Sequence, residues 1–160
     1  MRMVFQERKH PRLKKYDYSQ CGCYHITICT KKRMPILSRV LPGENESQRA
    51  TLILTSSGYV VERYIQRIPV VYAGVELVKY VIMPNHVHLL LVLEPHATTA
   101  IPTIVRSLKR MTNRDLGKPV WQDSFYDVII RNEAMFQCEW LYIDGNPDKW
   151  IEDELYVDVT

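Results

Sequence analysis

No apolar run in these 160 residues reaches the roughly 18 that a membrane-spanning helix needs. The longest, residues 80–93, is broken by Pro84, Asn85 and two histidines, so a soluble protein without a membrane partner is expected. Cysteine is sparse. Cys21, Cys23, Cys29 and Cys138 lack the paired CxxC spacing of a structural zinc site, and no secretory signal precedes them, which favours a reduced, cytoplasmic chain. Internal repeats and low-complexity tracts are absent. The net charge of +3 is too small to demand a nucleic-acid partner, although it permits one. What remains is a chain that is 46% hydrophobic, enough for one buried core and one domain spanning 1–160.

The first twenty residues concentrate Arg2, Arg8, Lys9, Arg12, Lys14 and Lys15 with little apolar periodicity, and are expected to form a basic arm. Tyr16 and Tyr18 beside Lys14 and Lys15 suit stacking on bases while neutralising phosphate. Residues 23–30, CYHITICT, alternate β-branched and aromatic side chains as a strand does, and KKRMP ends it. A turn-rich segment, residues 41–47, leads to ATLILT, a short strand or the approach to a helix. Val60, Val61, Tyr64, Ile65 and Ile68 mark an amphipathic helix over about 57–67 that Pro69 should stop.

Residues 75–83 then read as a second strand, MPN as a tight turn and residues 86–93 as a third, antiparallel strand. Ile101, Ile104, Val105, Leu108 and Met111 mark a second helix ending near Gly117. FYDVIIR, 125–131, is a fourth strand. Asn132 caps a last helix, expected to stop near Asn146 because Pro147 restricts the residue before it. This order predicts an α+β, ferredoxin-like βαββαβ antiparallel sheet with an additional C-terminal helix.

Within the third strand, His86 and His88 are two apart and share a face, with Val87 turned away. Two imidazoles on one face form half of a metal site; a bare HxH equally fits surface histidines on a solvated strand. The run Leu89–Leu90–Leu91–Val92–Leu93 is apolar on both faces, which argues for a central strand where polar groups need partners. His25 and His96 are further ligands by type only. His25, on a neighbouring strand, could approach the pair or serve as a core or rim residue, since periodicity leaves its face open. On the second helix, Arg106, Lys109 and Arg110 lie opposite the apolar stripe and suit phosphate contacts, or simply solvation. Trp121 and Gln122 fit anchors for the fourth strand. None of the ten tyrosines is singled out by pattern alone.

The ordered series YDYSQ, YHITICTKKR, MPNHVHLL, SLKR, VWQ, FYDVIIRNE and YIDGNPDKW resembles the REP-associated tyrosine transposases, within the single-tyrosine HUH transposases, over roughly residues 8–153. The resemblance implies metal-dependent cleavage and strand transfer of single-stranded DNA, often at hairpins, through a 5′-phosphotyrosine intermediate. By the same resemblance His86 and His88 match the pair that binds Mg²⁺ or Mn²⁺, Tyr142 the nucleophile on the last helix, and Asn146 an amide metal ligand. Two positions depart from the pattern: Val128 stands where related sequences have histidine, and His25 where an aromatic residue is usual. Related enzymes include homodimers whose tyrosine helix serves the partner and monomers that act in cis, and the sequence leaves both open.

The chemistry stands on its own terms. A phenol of pKa near 10 attacks phosphorus poorly unless a cation polarises the phosphate. A phosphotyrosine conserves the phosphodiester's energy, so that a 3′-hydroxyl can reverse the step and join a different end. Imidazoles alone favour softer metals than magnesium, and an amide oxygen with DNA phosphate oxygens would harden the site. Two other functions compete: a hairpin-DNA binding module without catalysis, and a zinc hydrolase. The second lacks a recognisable third soft ligand and a general base of the HExxH kind.

Overall fold

The computed structural model describes residues 17–18 and 20–150. The basic side chains expected to form the arm, Arg12, Lys14 and Lys15 among them, and Tyr16 lie outside the described residues. Six strands and four helices follow in the order β1 (Gly22–Cys29), β2 (Ser38–Leu41), β3 (Thr51–Leu54), α1 (Ser56–Val71), β4 (Val75–Ile82), β5 (His86–Leu93), α2 (Ile101–Leu116), β6 (Tyr126–Ile130), α3 (Glu133–Asp144) and α4 (Asn146–Trp150), with a 3₁₀ turn at Lys31–Arg33. The main sheet has the order β4-β5-β1-β6 and is antiparallel throughout. That is the ferredoxin-like arrangement, with the β2–β3 hairpin inserted between β1 and α1.

The β1–β5 register pairs Thr27 with His88 and Cys29 with His86, and side-chain alternation sorts the sheet into two unlike faces. One carries Tyr24, Ile26, Ile28, Val87, Leu89, Leu91 and Leu93, which join Val61, Ile65 and Ile68 of α1 and Ile101, Ile104, Val105 and Leu108 of α2 in the main core. The other carries His25, Thr27, His86 and His88. α3 lies against it, fixed to β4 by Lys79, whose Nζ is 2.9 Å from Asp144 Oδ1 and 3.8 Å from the Trp140 ring centroid. Arg49 holds the following turn through Asp144 and Asp148, and the Ala50 amide donates to Asp148 at 2.6 Å.

Local rules account for most boundaries. Thr55 caps α1 by accepting from the Gly58 amide at 3.1 Å. Gly58 permits the helix to approach Leu37, because a Cβ there would lie 2.0 Å from the Leu37 carbonyl oxygen. Gly117, at φ 72°, closes α2 in the left-handed conformation.

Several expectations are corrected. β2 was not foreseen, because its four residues, SRVL, follow a polar segment too closely to show alternation. Pro69 does not stop α1, which runs on to Val71 with Pro69 inside it. A proline this near the C-terminus forfeits a single i→i−4 bond, and the Tyr72 amide still reaches Ile68 at 3.0 Å. Tyr18 is not a stacking platform: it is buried, 6.4 Å from the Tyr24 ring. Pro147 does not end helical structure either. α3 stops at Asp144, and α4 begins at Asn146, so that Pro147 sits in a first turn where its missing N–H costs nothing. Among the described residues no helix is long and apolar enough to cross a membrane.

Candidate active site

The β4–β5 turn starts the site. The segment after β1 braces it: the Thr30 amide and hydroxyl both donate to the Asn85 carbonyl, at 3.0 and 3.1 Å, and the Leu37 amide donates to Pro84 at 3.0 Å. The Met83 amide closes the turn on the His86 carbonyl at 2.9 Å. Asn85, 1% exposed, presents Oδ1 to His86 Nδ1 at 2.7 Å. An amide oxygen can only accept, so Nδ1 of His86 carries a proton.

His88 lies beside it, with the two ring centroids 4.8 Å apart. Its Nδ1 is 2.9 Å from both Thr27 Oγ1 and His25 Nε2, while its Nε2 is buried with no hydrogen-bond partner. Burial holds His88 well below the ordinary imidazole range, with repulsion from His86 and His25 adding to it, so the ring is neutral at pH 7. His25 is 2% exposed, and its Nδ1 pairs with the buried Glu139 carboxylate.

α3 brings Tyr142 over this cluster. Its half-buried ring lies 5.4 Å from His88 and 5.9 Å from His25. Lys149 Nζ is 5.6 Å from the same ring, a cation beside the phenol. Asn146 is buried and donates from Nδ2 to the Tyr142 carbonyl at 3.3 Å. Trp150 closes the side next to His86, at 6.2 Å between centroids. All of these groups belong to one chain.

The donors present fit a divalent cation. Two neighbouring imidazoles each have Nδ1 engaged by protein groups, and Nε2 of His88 is a buried atom with no hydrogen-bond partner. Among the described residues no group of three or more His, Cys, Asp or Glu side chains is arranged to hold a metal, so an amide oxygen and substrate oxygens are the natural complement.

The family described as Transposase IS200 like matches residues 18–135. The chain belongs to this family. An uncharacterized protein of Haemophilus influenzae is 31% identical over 176 aligned residues, covering 94% of each chain. Among solved structures, a REP-associated tyrosine transposase bound to a REP hairpin is similar with a TM-score of 0.63, at 20% identity, over 86% of this chain and 73% of that one. At that identity the likeness establishes the fold.

For this IS200-like transposase family member, the sequence-predicted residues divide cleanly. His86, His88 and the Tyr142 ring gather on one face of the sheet, and Asn146 is tied to the Tyr142 carbonyl. His96 does not join them: it is exposed, beyond the opposite end of β5 from His86. Glu139, Asn85, Thr27 and Lys149 were not foreseen, although Glu139 stands three residues before Tyr142, on the same helical face.

Arg106, Lys109 and Arg110 lie on α2, across the sheet from the histidines. Lys109 is no free phosphate ligand, since its Nζ donates to the carbonyls of Gln122, Asp123 and Ser124 at 2.8, 3.3 and 2.9 Å. It caps the loop that Trp121 anchors through Thr112 Oγ1, at 2.7 Å. Arg106 and Arg110 are exposed. Lys109→Ala should therefore cost about 1–2 kcal/mol of stability in a denaturant melt, while Arg106→Ala with Arg110→Ala leaves stability unchanged.

Proposed function

We propose that this transposase-family protein cleaves and rejoins single-stranded DNA at hairpins, using Tyr142 as nucleophile and a divalent cation, Mg²⁺ or Mn²⁺, held by His86, His88 and Asn146. The observation that carries the reading is the approach of the Tyr142 ring to His88, whose buried Nε2 has no other partner. A cation bound there would polarise the scissile phosphate and offset the charge developing on its oxygens.

The remaining work falls to this chain's own residues. The Tyr142 oxygen forms a bond to phosphorus as its proton passes to solvent. The bond from phosphorus to the 3′ oxygen breaks, and that oxygen takes up a proton to leave as a 3′-hydroxyl. The product is a 5′-phosphotyrosine, which a 3′-hydroxyl can attack in the reverse sense to join strands. Lys149, beside the phenol ring, steadies negative charge on the attacking oxygen. Packing of α3 on its own sheet supports a reaction completed within one chain. Arg106, Arg110 and the basic residues Arg12, Lys14 and Lys15 are assigned to the DNA backbone, which adds affinity without chemistry.

The test is incubation of the protein with single-stranded hairpin oligonucleotides of varied flanks, with Mg²⁺, Mn²⁺ or EDTA, followed by a denaturing gel. A covalent protein–DNA band that appears with metal and vanishes with EDTA is expected. Hairpin retention with no metal-dependent band across the whole set would instead favour a non-catalytic binding module.

A further inference from the structure

We propose that Glu139 and His25 act as positioning residues that fix the ring tautomer of His88, so that its Nε2 presents a lone pair to the cation. The proposal rests on the reading that His86 and His88 hold a metal. It deepens that reading by assigning a role to a histidine and a carboxylate that the phosphoryl-transfer step does not use.

The chain of contacts runs from α3 through β1 to β5. Glu139 pairs with His25 Nδ1, and a carboxylate oxygen accepts from a ring N–H. With its proton on Nδ1, the His25 ring presents Nε2 as an acceptor, 2.9 Å from His88 Nδ1. That bond needs a hydrogen, and His88 supplies it from Nδ1. The proton is thereby held away from Nε2. Thr27 Oγ1, also 2.9 Å from His88 Nδ1, serves as a second acceptor and adds to the constraint.

The burial of His88 Nε2 points the same way. A proton there would make a buried N–H donor with no partner, a costlier defect than a bare lone pair. Ligand histidines elsewhere commonly donate their second ring nitrogen to a carboxylate or carbonyl, which sets orientation and raises basicity. His86 follows that rule directly through Asn85. His88 reaches its carboxylate through one intervening imidazole, and Glu139 lies three residues before Tyr142, so that a single helix supplies both the nucleophile and the anchor of the relay.

The relay requires a matched register. His25 and Thr27 share the histidine face of β1, and Val128 stands opposite His25 on β6. The small apolar neighbour leaves His25 with Glu139 and His88 as its hydrogen-bonding partners. Neither residue is assigned a part in the phosphoryl transfer itself. Their influence passes through His88.

The experiment has two readouts. Long-range proton–nitrogen correlation of the histidine side chains in the metal-free wild type at neutral pH should show His88 protonated at Nδ1 and bare at Nε2. A proton on Nε2 would overturn the proposal whatever the metal data show. Separately, Mn²⁺ titration followed by the electron paramagnetic resonance of the free ion compares wild type with His88→Ala, His25→Phe, Glu139→Leu, Glu139→Gln and the double variant His25→Phe/Glu139→Leu. His25→Phe and Glu139→Leu should each weaken Mn²⁺ binding roughly 10- to 100-fold. Glu139→Gln, whose amide oxygen still accepts from His25, should recover most of the loss. The double variant strands no buried carboxylate and should bind no worse than His25→Phe alone, since Glu139 works only through His25. If His25→Phe and the double variant bind Mn²⁺ like wild type while His88→Ala does not, the relay is wrong and the metal site stands. If wild type and His88→Ala bind alike, the metal site itself is wrong, and the tautomer readout still decides the relay.

Discussion

Replacing His86 and His88 together by alanine is expected to reduce hairpin cleavage by about a thousand-fold or more, as roughly 4 kcal/mol of transition-state stabilisation is lost. Both rings have Nδ1 occupied by protein groups, and Nε2 of His88 is buried without a hydrogen-bond partner, so truncation removes the proposed donors without removing the phenol. Hairpin affinity measured in EDTA should stay within about two-fold, because contacts to the phosphate backbone supply most of the binding. Single-turnover cleavage and a filter-binding titration on the same preparations check the two halves. Equal losses in binding and cleavage would make the histidines structural.

Tyr142→Phe is expected to eliminate the covalent adduct altogether, the largest effect in this account. Phenylalanine keeps the ring that lies 5.4 Å from His88 and 5.9 Å from His25, so the cluster loses a hydroxyl and little else. Stability should change by no more than about 1 kcal/mol, and hairpin affinity should be unaltered. A denaturing gel read beside a thermal melt separates loss of the nucleophile from loss of fold. Tyr126 is 40% exposed on the edge strand β6, and Tyr126→Phe should leave the adduct intact.

The histidine strand was legible because its signals are local. Five apolar residues in succession after His88 mark a central strand, and period-two alternation puts His86 and His88 on one face. Sheet order and register bear this out. Gly117, by its left-handed backbone, and Asn132, by its capping side chain, announced their helix ends locally. β2 was hidden because its pairing with β3 is a tertiary fact with almost no pattern of its own. The bonds of Lys109 were hidden for a related reason: spacing shows which face of α2 it occupies, whereas the three carbonyls that hold its ammonium come from a loop thirteen to fifteen residues away.

His25 and Glu139 were the hardest to read. They are 114 residues apart in sequence, and only the docking of α3 on the sheet brings them together. His25 and Val128, the two departures from the family's usual pattern, prove to be direct cross-strand partners. The choice of Tyr142 among ten tyrosines drew on resemblance, and the matched family region ends at residue 135. The position of its ring beside the histidines is what spacing could not supply.

The central claim is tested most directly by trapping the protein on a single-stranded hairpin with Mn²⁺, digesting the covalent complex with protease and nuclease, and locating the residual nucleotide by mass spectrometry. The account predicts one modified peptide, spanning α3, with the phosphate on the oxygen of Tyr142. A nucleotide carried by any other residue, or cleaved DNA with no modified peptide at all, would contradict it.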